Sequence, residues 1–88
     1  MDEIAKPQLL GKYIVADPKI CHGKPTFRDT RIMVFQVLEM VATGMEWQTI
    51  IEQCHHSITK EAISEAVFLA NKALTEHAHE YVLDKLAA

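Results

Sequence analysis

The sequence predicts a mainly α-helical single domain with a short β-bearing N-terminal arm and a long or broken C-terminal helix. All three prolines and two of the three glycines fall within residues 1–33, whereas helical spacing of apolar residues starts at Val34 and recurs in three successive segments. At 88 residues, 49% hydrophobic and 24% charged, the chain can build one modest core and lacks the compositional bias of a disordered segment. The division expected is an arm over residues 1–33 and a helical core with its C-terminal helix over residues 34–88, forming one domain overall.

In the arm, Tyr13-Ile14-Val15 and Thr26-Phe27 are the β-prone stretches. Asp17-Pro18 and His22-Gly23-Lys24-Pro25 lie between them as turn signals. A small hairpin-like pairing follows, short enough to count as an accessory to the helices. The first helix is marked by Val34, Val37, Leu38 and Val41 at i, i+3, i+4 and i+7, with Gly44 placed to close it in a left-handed cap. Trp47, Ile50, Ile51 and Cys54 repeat the template as a second helix. The connection through His55-His56-Ser57-Ile58 then ends at Thr59, whose hydroxyl suits the N-cap of a third.

The third helix buries Ile63, Ala66, Val67, Ala70 and Leu74, and its stripe extends to His77 and Tyr81. Glu61 stands in the first turn, where the helix dipole favours an acid. Continued to Leu86 it would be ~42 Å long at ~1.5 Å per residue. A globule of this length has a radius of gyration of about 12 Å, so either the segment breaks near Lys72–Glu76 into a fourth helix or its end projects. Phe68, Leu83 and Leu86 point away from the Ile63 stripe and form an expected apolar interface, with a second copy or another protein as its partner.

Charge is distributed unevenly. Residues 1–33 hold six Lys/Arg and four Asp/Glu, whereas residues 34–88 hold three and eight, within a net charge of −3. Such a total excludes a protein that coats nucleic acid indiscriminately, but leaves a local N-terminal patch of Lys24, Arg28 and Arg31, joined by Lys60 on the third helix, as the expected contact with nucleic acid or a partner. That helix shows Lys60, Glu61, Ser64, Glu65 and Phe68 in its early turns, a poor set for reading base edges. An acidic start without a long apolar run gives neither a secretory signal nor a membrane span, so the expected location is cytoplasmic with reduced thiols.

Other chemistry is weighed and set aside. Cys21-His22 and Cys54-His55-His56 carry zinc-type donors without the spacing of a finger, and Cys54 completes an apolar stripe, so no metal or other cofactor is expected. Gly23-Lys24 lacks the earlier glycine and the following Ser/Thr of a P-loop. No catalytic constellation stands out in so small a helical domain, and the chain is read as a non-enzyme.

The segment from Ile14 to Ile32, containing Asp17-Pro18-Lys19-Ile20-Cys21-His22-Gly23-Lys24-Pro25 and Arg28-Asp29-Thr30-Arg31-Ile32, resembles the opening of the prokaryotic domain-of-unknown-function family four-thirty-three. Val41-Ala42-Thr43-Gly44-Met45 and Ile58-Thr59-Lys60-Glu61-Ala62-Ile63 are similar to later pieces of the same pattern, and the likeness runs to about Ala70. The resemblance implies a homeodomain-like helix-turn-helix core and, for many members, an antitoxin-like role beside a small nuclease-type toxin with a PIN-like fold. His22, Asp29 and Met33 depart from the pattern; Asp29 replaces a glycine, and Asp tolerates the left-handed conformation that a glycine there implies. The function expected on this basis is an antitoxin-like binding protein, a homodimer partnered by a toxin, with DNA binding for autoregulation. The alternatives are a stand-alone dimeric helix-turn-helix DNA-binding regulator and a structural interaction module.

Overall fold

The computed structural model describes residues 6–81. Three short strands, β1 (Gln8–Leu9), β2 (Ile14–Ala16) and β3 (Pro25–Phe27), form an antiparallel sheet in the order β1-β2-β3. Three helices follow, α1 (Val34–Ala42), α2 (Trp47–Gln53) and α3 (Lys60–Glu76). The pairing expected within the arm is present, with Ile14 opposite Phe27 and Val15 opposite Thr26; β1 adds a strand that composition did not announce.

The sheet is no accessory. Ile14 and Phe27 are 1% and 2% exposed and share one core with Val37, Ile50 and Ile63, each fully buried. The reason lies in helix length: α1 and α2 span nine and seven residues and offer one narrow apolar stripe each, so the β2–β3 face supplies the remaining cover. Val15 and Thr26, on the opposite face of the strands, are buried as well, and a bridge from Thr26 to Met33 closes that edge.

Each helix boundary has a local cause. Gly44 at φ 87° ends α1 in a Schellman motif, with Gly44 N–H donating to the Val41 carbonyl (3.0 Å) and Met45 N–H to that of Met40 (3.2 Å). Thr59 caps α3, its hydroxyl accepting from Ala62 N–H at 3.1 Å. Between α2 and α3 the chain turns through His55 and His56, at φ 56° and 58°, while buried Ile58 pins the connection to the core.

The third helix buries Ala62, Ile63 and Ala66 and then outruns its partners. Leu74 and Tyr81, expected on the buried stripe, are 53% and 57% exposed, and the His77 side chain is likewise exposed. At ~1.5 Å per residue α3 is ~26 Å long, about twice α1, so nothing remains for its last turns to pack on. The helix stops at Glu76 and gives way to a 3-10 turn, Ala78–Tyr81, the last of the described residues. Leu83 and Leu86 lie outside the described residues.

Candidate contact surfaces

Backbone geometry sets out the basic residues. After β3 the chain turns tightly: Thr30 N–H and hydroxyl both donate to the Phe27 carbonyl (3.0 and 2.7 Å), Ile32 N–H donates to the Thr30 hydroxyl (3.0 Å), and Phe27 N–H donates back to the Ile32 carbonyl (3.0 Å). Asp29 sits in this turn at φ 66°, the left-handed conformation expected for it. Arg28 and Arg31 therefore occupy exposed corners on either side of the turn. Arg28 is further fixed by its N–H, which donates to the Tyr13 carbonyl at 2.7 Å.

The four cations singled out from sequence do not converge on one patch. Arg28 lines a cleft of about 130 Å³ together with Tyr13, Asp29, the connection into α3 at Ser57, Ile58 and Thr59, and Ala62 in its first turn, which brings it close to the helix end that carries exposed Lys60. Lys24 belongs to a different place, an apolar groove of about 430 Å³ formed with Pro25, Val34, Phe35 and Leu38. Arg31 is exposed near Cys21, whose thiol donates to the Arg31 carbonyl at 3.7 Å. Among the described residues none of the four lies within ion-pair distance of a carboxylate, so the turn holds no Arg–Asp29 pair.

One acid on α3 has a different role from that read in the sequence. Glu65 does not face outward as a free charge: its two carboxylate oxygens accept from the backbone N–H groups of Lys12 (2.8 Å) and Tyr13 (2.7 Å). Gly11 makes room for it, since a Cβ at that position would stand 2.6 Å from the carboxylate. Glu61 and Ser64 remain exposed on the same helix. Sequence reasoning missed this clasp because nothing local links Gly11 to Glu65. It also missed the Phe35 groove, although Phe35 off the Val34-Val37-Val41 stripe was a usable signal.

Apolar exposure is concentrated on α3 and the arm. Phe68 is 62% exposed, and among the described residues Leu9, Leu10, Phe35, Leu74 and Tyr81 are the other large apolar side chains left open. Cys54 is 6% exposed, and burial pushes its thiol above its ordinary value, so it stays protonated within the core. Among the described residues no three His, Cys, Asp or Glu side chains gather where a metal ion would bind, and no helix is long and apolar enough to cross a membrane.

Comparison with known proteins gives one positive result. Neither the curated proteins nor the solved structures contain a match to this chain. A family model described as Protein of unknown function (DUF433) matches residues 14–70. The matched stretch runs from β2, whose Ile14 opens the core, to the point on α3 just beyond Ala66, the last of its buried residues, so it coincides with the packed part of the fold. On that match over more than half its length, the chain belongs to the DUF433 family.

Proposed function

We propose that this protein is an antitoxin-like binding module that neutralises a small nuclease-type toxin with a PIN-like fold. The observation that carries the reading is the end of α3 and the 3-10 turn after it, which extend past the last core contact with Leu74 and Tyr81, one on each, more than half exposed. Large apolar side chains on a projecting segment are what a helix-in-groove contact uses as anchors. The acidic excess of residues 34–88 complements a basic surface of the kind a nucleic-acid-cleaving enzyme needs. The sequence assigned the partner contact instead to Phe68, Leu83 and Leu86, on the side opposite Leu74 and Tyr81; Leu83 and Leu86 lie outside the described residues.

Capture of the tagged protein from its native lysate, after nuclease digestion, tests this. The expected result is a small ribonuclease-like protein recovered in stoichiometric amount and lost with Leu74→Asp, a substitution at an exposed site that leaves the core intact. Recovery of the bait alone contradicts the reading.

Accompanying DNA contact is the second reading, favoured by one observation: Arg28 lines a cleft with Thr59 and Ala62 at the start of α3, the helix end that carries exposed Lys60. Cationic side chains beside a helix start can hold a phosphate and fix register without reading bases. In this reading Arg28→Ala weakens binding equally across DNA sequences and lowers the salt slope by about one. Affinity for DNA that does not vary with salt contradicts it.

A further inference from the structure

Phe68 stands in the middle of α3 and takes no part in the core. Glu65, one turn earlier, fastens the β1–β2 turn to the helix through the N–H groups of Lys12 and Tyr13, with Gly11 pressed against the carboxylate. Leu9 and Leu10, 66% and 43% exposed, immediately precede Gly11. The clasp therefore holds the β1–β2 turn, which Leu9 and Leu10 lead into, against the side of α3 on which Phe68 follows one turn after Glu65. Exposed apolar patches mark contacts with other proteins.

The charges around the patch identify the occupant. At ~100° per residue, Glu61, Glu65 and Lys72 lie within about 60° of Phe68 on α3, the acids toward its N-terminus and the lysine toward its C-terminus, with Glu76 farther round at about 80° in the last turn. Lys12, the nearby cation on the arm, holds its ammonium over the Tyr13 ring, 5.5 Å from the centroid. A partner carrying charge of a single sign meets repulsion at one end of such a face. A second copy turned end for end does not. Across a two-fold axis at Phe68, each Lys72 falls ~6 Å along the helix from the axis, between the levels of Glu61 and Glu65 on the other copy. The two N–H bonds made by Glu65 leave its oxygens with further acceptor capacity.

We propose that this face is a self-association surface on which two copies pair antiparallel along α3, with Phe68 at the two-fold axis, Leu9 and Leu10 beside it, and Lys72 of each copy meeting Glu61 and Glu65 of the other. The pairing is independent of the toxin contact, which is assigned to Leu74 and Tyr81 farther along the chain.

Sedimentation equilibrium of the full chain, alone in buffer, reads this directly. The expected result is a concentration-dependent monomer–dimer equilibrium that Phe68→Asp weakens by about tenfold or more. Lys72→Glu and Glu61→Lys each weaken it by about two- to fivefold. The double variant carrying both changes regains affinity over either single one, because its face is again complementary to its own copy. Far-ultraviolet circular dichroism checks that helix content is unchanged. A wild-type chain that stays monomeric at every concentration overturns the proposal, as does a dimer indifferent to Phe68→Asp or a double variant weaker than both singles. A monomeric wild type whose capture of a nuclease-type partner is abolished by Phe68→Asp assigns the face to that partner and also overturns it.

Discussion

Glu65 ties two parts of the chain together that are 52 and 53 residues apart, by accepting backbone hydrogen bonds from Tyr13 and Lys12. Hydrogen bonds to a charged acceptor are stronger than neutral ones, and solvent reaches this one, so Glu65→Ala is expected to lower stability by about 1–2 kcal/mol in urea unfolding. Gly11→Ala should act through the same carboxylate by displacing it. Its cost should therefore largely vanish in the Glu65→Ala background, and additive costs in that double-mutant cycle contradict the mechanism. Thr26 presents the opposite case: its side chain is fully buried and its hydroxyl has no hydrogen-bond partner. Thr26→Val removes an unsatisfied polar group at nearly constant volume and should raise stability by up to ~1 kcal/mol; a loss of stability would show that the hydroxyl is bonded. Asp29 was legible in the sequence, because few residues other than glycine accept its conformation. His55 and His56 were not: histidine enters the left-handed region more often than most residues, but nothing in the sequence marks two such residues in succession.

The helices were legible in order and nearly in extent, since apolar spacing, Gly44 and Thr59 each carry a local physical cause. The end of α3 was not. No glycine or proline stands between Lys60 and Tyr81, and the apolar stripe continues through Leu74 without a tertiary partner. Periodicity reports which side chains share a face and is silent on whether anything covers it. Two halves of one helix should accordingly differ in energetics. Ile63→Ala, at a fully buried site, is expected to cost about 2–5 kcal/mol, whereas Leu74→Ala should stay within about 0.5 kcal/mol. Equal costs in denaturant titrations contradict the placement of the core. Amide exchange should follow the same division, with the turns around Ile63 opening only on global unfolding and those after Ala73 by local fraying.

The whole molecule is one core built jointly by a sheet and three helices. The strands themselves could be read from Tyr13-Ile14-Val15 and Thr26-Phe27, but their burial could not, because two or three β-prone residues look alike on an exposed hairpin and against a core. Phe27, among the largest fully buried side chains described, decides the matter. The candidate contacts were legible less evenly. Phe68 is open, as its place off the Ile63 stripe implied, while Lys24 parts company with Arg28 because β3 runs between them and sends each to a different end of the strand. What remains outside the packed part is the end of α3, and the proposed function rests on it. Its most direct test is titration of the captured nuclease with this protein while substrate RNA cleavage is followed. The account predicts loss of cleavage at one equivalent and little inhibition by the Leu74→Asp variant at that dose; full cleavage in the presence of excess wild-type protein would contradict it.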